Sequence, residues 1–183
     1  FLVISVALLG QTFGALLVHF SAKRLSAPVE VALSWCCLGI AWSSLAFLWV
    51  SCNLPFFILR NGTIIEDYQI FNIFISLCSS ILPFLFLGAI FTLLFTRRGE
   101  DVSRLYGINL IGAAFGCFCI LPLLSSLSAQ KVVMVICLLS CLCSLMFVLR
   151  TKSLGSKSCA FLSSLIFCLL VSDGFGKESF RLH

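Results

Sequence analysis

The chain has 183 residues, of which 61% are hydrophobic and 10% charged, and its mean hydropathy is +1.16. Soluble domains run near ~45–50% apolar and ~25% charged residues, so this much apolar surface needs the bilayer as its solvent. The net charge of +5 comes from 12 Lys and Arg residues set in short clusters between apolar runs. No basic stripe is interleaved with aromatics, which excludes nucleic acid as a partner.

A spanning helix takes ~20 mostly apolar residues at ~1.5 Å each. Residues 1–20 satisfy this and stop at Lys23 and Arg24. The second span covers 31–50, and the loop that follows holds Glu66 and Asp67. The third, 70–95, exceeds the membrane thickness and must tilt or bend, with Pro83 as the place for a bend. A polar loop over 96–105 leads to the fourth span, 106–124, which Pro122 weakens near its end. The fifth is 132–149. The sixth, 154–171, reaches spanning length only if Lys157 snorkels to the interface.

The apolar runs show no inside-outside alternation and are twice the length of a barrel strand. The fold class is therefore all-α, a polytopic transmembrane helix bundle of about six spans. Residues 1–172 form the helical domain and 173–183 a polar tail. The chain starts in mid-hydrophobic stretch at Phe1 and its methionines are Met134 and Met146. It reads as a piece of a longer protein with no cleavable signal peptide.

Cations orient the bundle. Eight lie in the loops after the odd-numbered spans (Lys23, Arg24, Arg97, Arg98, Arg104, Arg150, Lys152, Lys157) and four elsewhere (Arg60, Lys131, Lys177, Arg181). Loops 21–30, 96–105 and 150–158 are expected in the cytoplasm, within a plasma membrane, or the inner membrane of a bacterium. The sequon Asn61-Gly62-Thr63 then faces outward.

The 11 cysteines lie inside apolar runs or at their edges, no C-x-x-C pair occurs, and neither His19 nor His183 is placed to complete a zinc site. Buried free cysteine acts as a small hydrophobe, so no metal or other cofactor is expected. All seven acids (Glu30, Glu66, Asp67, Glu100, Asp101, Asp173, Glu178) fall in loops, at loop edges or in the tail. Proton-driven transporters place a carboxylate or histidine at depth, and none is present. The polar groups at depth are neutral: Gln11 in the first span and Asn109 in the fourth. Each serves either as an interhelical hydrogen bond, worth ~0.6–2 kcal/mol, or as a ligand contact.

Two small-residue faces invite helix packing. Gly10 and Gly14 form one G-x-x-x-G pair, with Ala7 on the same face and Gln11 beside it. Gly112 and Gly116 form the other, with Tyr106, Asn109 and Ala113 on its stripe. Such faces let two backbones approach closely, so spans one and four are expected inside the bundle, in reach of each other. Leucine at Gly112 or Gly116 should then damage folding more than Cys141→Leu. Trp35, Trp42 and Trp49 recur every seven residues along one side of the second span. The outer two suit the interfaces, and Trp42, near the centre, needs another partner.

Catalytic signatures are missing: there is no P-loop, G-x-S-x-G, H-E-x-x-H or G-x-G-x-x-G. No catalytic residue is assigned in this chain.

The stretch LPFLFLGAIFTLLFTRRGEDVSRLYGINLIGAAFGCFCILPLL, residues 82–124, resembles the membrane domain of bacterial spermidine-synthase-like proteins. The matching residues are Pro83, Phe84 and Gly88, a basic loop, and then Arg104, Leu105, Tyr106, Leu110, Gly112, Ala113, Gly116 and Cys117. Ala7-Leu8-Leu9-Gly10 and Gly14-Ala15-Leu16 look like the same family. The match covers about a third of the chain, and Asn109 stands where the family pattern has Asp. The resemblance implies a membrane domain that anchors or serves a polyamine aminopropyltransferase-like domain, with the bilayer and that fused or associated domain as partners. The soluble domain's catalytic residues have no counterpart here. Two other readings stay open: a small-molecule or polyamine transporter, which should show buried acids or an aromatic cage, and a structural membrane subunit.

Overall fold

The computed structural model describes residues 1–21, 28–53, 67–97, 101–150 and 154–176. The cations Lys23, Arg24, Arg60, Arg98, Lys152, Lys177 and Arg181, the sequon and the end of the tail lie outside the described residues. Those described form six helices in sequence: α1 Leu2–Ser21, α2 Val29–Asn53, α3 Asp67–Arg97, α4 Val102–Ser126, α5 Ala129–Leu149 and α6 Leu154–Gly176. No strand occurs among the described residues. In hydrocarbon each backbone N–H and C=O must be satisfied within its own segment, which is the reason these apolar runs are helical throughout.

Five of the helices, α1 to α5, are long and apolar enough to cross a membrane. The protein is a membrane-embedded helical bundle. Helix α6 has 23 residues, but its apolar stretch is the shorter Ala160–Leu169. The observed helices reach further than the apolar runs. Arg104, expected in a loop, stands in the first turn of α4, which begins after Asp101 at the N-cap position. A polar side chain at the interface costs little, so the helix continues until its backbone groups meet water. Helix α3 has 31 residues, about 46 Å at ~1.5 Å per residue against ~30 Å of hydrocarbon, so it is long enough to reach past the hydrocarbon or to tilt within it. Pro83 lies inside α3 and Pro122 inside α4, and neither ends its helix.

Helix α1 runs parallel to α3, and α2 runs antiparallel to α5. Helix α2 packs on both α3 and α5, α1 packs on α3, and α6 packs on α5 and touches α2. Helix α4 touches α5 only lightly. The core lies at the junction of α2, α5 and α6, where Leu38, Ala41, Cys137, Cys141, Phe167 and Val171 are each no more than 2% exposed.

Candidate functional site

The first seam joins α1 to α3. Gly10 and Gly14 are the two buried residues of α1. A methyl group built on Gly10 would lie 2.8 Å from the Ile81 carbonyl oxygen and 2.8 Å from the Phe84 Cβ. One built on Gly14 would fall on the Leu85 carbonyl oxygen and lie 2.9 Å from the Ala89 nitrogen. The fit is reciprocal: a methyl on Gly88 of α3 would strike the Gln11 carbonyl oxygen and lie 2.7 Å from the Gln11 Cα. Two helices running in the same direction thus touch backbone to backbone through three glycines. Dispersion between closely packed backbones replaces the hydrophobic drive that lipid removes. Gln11 sits half-buried at this seam.

The second seam, between α2 and α5, carries the interhelical polar contacts. Ser34 and Ser144, both nearly inaccessible, share a hydrogen bond of 2.8 Å. The Ser144 hydroxyl also lies 3.0 Å from the Ser34 carbonyl oxygen. Farther along, the Cys137 thiol donates to the Ala41 carbonyl at 3.6 Å. At the opposite end the Gln130 amide donates to the Cys52 sulfur at 3.7 Å. Sequence reading sought such bonds at Gln11 and Asn109 and missed these. The signal was present: Ser34, Cys37, Ala41, Ser44 and Leu48 face Met134, Cys137, Cys141, Ser144 and Val148, and all ten are buried. Alternating steps of three and four give a seven-residue period, the spacing of a left-handed helix pair.

The tryptophan stripe borders that seam. Trp35 and Trp49 are exposed to the surroundings of the bundle, at 49% and 62%. Trp42 meets Phe167 of α6 edge to face, with ring centroids 5.7 Å apart at 70°. The central indole's partner is thus an aromatic ring on the sixth helix, in a geometry the ring quadrupoles favour.

The expectation for span four is overturned. Helix α4 has no buried residue, and a methyl built on Gly112 or Gly116 meets nothing within 4 Å. Tyr106 and Asn109 are exposed as well. Spans one and four do not form the inner pair; α1 finds α3 instead. Among the described residues the Asn109 amide has no hydrogen-bond partner on a neighbouring helix. The physical reason is that small-residue spacing permits close approach but supplies no partner. The expected order of substitutions reverses accordingly. Cys141 has no exposed surface, so Cys141→Leu should cost ~1–3 kcal/mol by overpacking. Gly112→Leu should be nearly neutral, or slightly favourable through leucine's helix propensity. Thermal unfolding of both variants in detergent checks this; a Gly112→Leu variant less stable than Cys141→Leu would contradict the packing.

A cavity of about 640 Å³ lies between the α1–α3 pair and the α2–α5 pair. Its walls are largely apolar, including Val6, Ile40, Leu87 and Val133. Four hydroxyls break that surface: Ser44 from α2, Ser76 and Ser80 from α3, and Ser140 from α5. None of the described lining side chains is charged. Among the described residues no group of three or more His, Cys, Asp or Glu side chains is placed to hold a metal ion.

Compared with known proteins, the chain matches no family model, no curated sequence and no solved structure.

Proposed function

We propose that this chain is the membrane domain of a spermidine-synthase-like protein, holding an aminopropyltransferase-like domain, encoded beyond this chain, at the membrane surface. One observation supports this reading above the others. The early segment and the first part of the later one, separated by more than sixty residues, meet in one seam: Gly10 and Gly14 against Phe84, Leu85 and Ala89, and Gln11 against Gly88, while the matched residues of α4 lie outside it. Residues that form a pattern in sequence are then residues that form a contact in space. The carrier reading is the weaker one, since no carboxylate is found among the described lining residues to balance a polyamine's charge.

The complete coding sequence tests the proposal. A downstream region encoding a glycine-rich strand-turn-helix nucleoside site is the expected result. Further apolar helices with no soluble domain would favour a transporter, and neither would favour a structural subunit.

In this reading the bundle lies in the plasma membrane, the inner membrane in a bacterium, with loops 21–30, 96–105 and 150–158 cytoplasmic. An attached catalytic domain would then meet its substrates in the cytoplasm. Ser103 is exposed in the first turn of α4 and serves as the reporter. Ser103→Cys should resist an impermeant thiol reagent in intact cells and react after permeabilisation, measured in a background in which the exposed Cys78, Cys117 and Cys143 are serine. Ready labelling from outside would reverse the orientation.

A further inference from the structure

We propose that the cavity between the two helix pairs is a binding site for one acyl chain of a bilayer lipid. The proposal rests on the cavity alone and is independent of the family reading. The first consideration is depth. The lining residues sit near the start of α1 (Val6), past the middle of α2 (Ser44, Phe47), in the first half of α3 (Ser76, Ser80) and in the first half of α5 (Ile136). Since α1, α3 and α5 run one way and α2 the other, these positions fall in one half of the bundle's thickness, and Ile40, Phe84, Leu87 and Ser140 carry the lining to its middle. Ile136 stands seven residues into α5, about 10 Å along its axis, which is within hydrocarbon rather than at the headgroups.

The second consideration is access. Most lining side chains are half-buried; the exposed ones are Leu2 and Val3 on α1 and Ile136 on α5. Ile136 marks an opening beside α5, toward the side of the bundle. An occupant that enters there comes from the membrane.

The third consideration is chemistry. None of the described lining groups is charged, and a buried charge needs a partner, so the described walls suit an apolar occupant. The hydroxyls do not make the site wet. The Ser80 hydroxyl donates to the Leu77 carbonyl at 2.7 Å, and serine on a helix can always turn back to its own backbone in this way. The walls therefore accept hydrocarbon without stranding a donor. A volume of about 640 Å³ is within the ~300–1,000 Å³ of ligand sites and far above the voids that packed interiors leave empty. Left vacant, its lining would lose dispersion contacts on one side. An acyl chain restores them and ties α1–α3 to α2–α5, which otherwise meet mainly through α2 and α3.

The test uses the whole chain in nanodiscs of phosphatidylcholine in which a fraction of the lipid carries a diazirine in one acyl chain. After photolysis, adducts should concentrate on cavity residues such as Val6 and Ile136, well above exposed surface residues such as Phe118. Ser140→Phe and, on another wall, Ser76→Phe should each reduce the cavity adducts about tenfold, equivalent to ~1.4 kcal/mol of binding. Ser125→Phe, on exposed α4, should leave them unchanged. Labelling spread evenly over the bundle surface overturns the proposal, as do cavity adducts that persist in both filled variants. Cross-links showing a second copy of the chain seated in the opening overturn it too. Should either filled variant fail to fold, the adduct map of the unsubstituted protein decides.

Discussion

Gly14→Leu is expected to separate α1 from α3 and to be among the most damaging single changes in the chain. Gly14 is buried, and a Cβ there would collide with the Leu85 carbonyl oxygen and come within 2.8 Å of the Leu85 carbonyl carbon. Those atoms are backbone and cannot swing aside. Gly39 shows the contrast: its added methyl would meet the Phe86 ring at 2.6 Å, the far end of a side chain that can rotate. Overpacking typically costs ~1–3 kcal/mol, and Gly14→Leu belongs at or above the upper end. Helix α1 has α3 as its main neighbour, so nothing else would hold it. Gly14→Ala should already show part of the loss, and Gly39→Ala much less. Unfolding midpoints in detergent, followed by near-ultraviolet circular dichroism, measure this. A Gly14→Leu midpoint equal to that of the unsubstituted chain would mean that α1 does not seat on α3 as described.

The helices themselves were legible because length and apolarity set them, and the bilayer leaves a chain little alternative. Which helix touches which was much less so. In a soluble helix the apolar stripe points inward. Here the face toward lipid is as apolar as the face toward protein, and the signal disappears. Helix α4 illustrates this: Ile108, Ile111, Phe115 and Phe118 are all exposed, yet nothing in their sequence separates them from core residues. The glycine pairs of α1 and α4 have the same spacing, and one is buried while the other is open.

The α2–α5 seam escaped notice for a related reason. Attention to glycine and to deep polar amides passed over serine and cysteine, which are nearly as small. The pair Ser34 and Ser144, 110 positions apart, forms a buried interhelical hydrogen bond, and no local pattern joins them. Their common seven-residue register with Ala41 and Cys137 could have been found by looking for small residues at steps of three and four. The cavity was not legible at all, because it arises between helices that are far apart in sequence.

Phe167→Ala should release α6 from the bundle. The phenyl ring is the largest fully buried side chain, with no exposed surface. It lies in one cluster with Leu38 and Ala41 of α2 and Cys137 and Cys141 of α5, and its edge meets Trp42. Among the described side chains of α6 the buried ones are Ala160, Ser164, Phe167 and Val171, which share one helical face, and three of them are small or β-branched. The ring is therefore the largest of these contacts. Truncating a buried phenylalanine typically costs ~3–5 kcal/mol, the spread reflecting how far the site collapses. Collapse is hindered here because the seam behind it is already closed by the Ser34–Ser144 bond and by Cys137 against Ala41. The readouts are the unfolding midpoint and the Trp42 fluorescence: the midpoint should fall steeply and the emission should shift as its ring partner leaves. Phe161→Ala, at a residue 54% exposed on the same helix, is the control and should change neither. If both variants unfold alike, α6 is held by something other than this face, and its docking onto α2 and α5 is wrong.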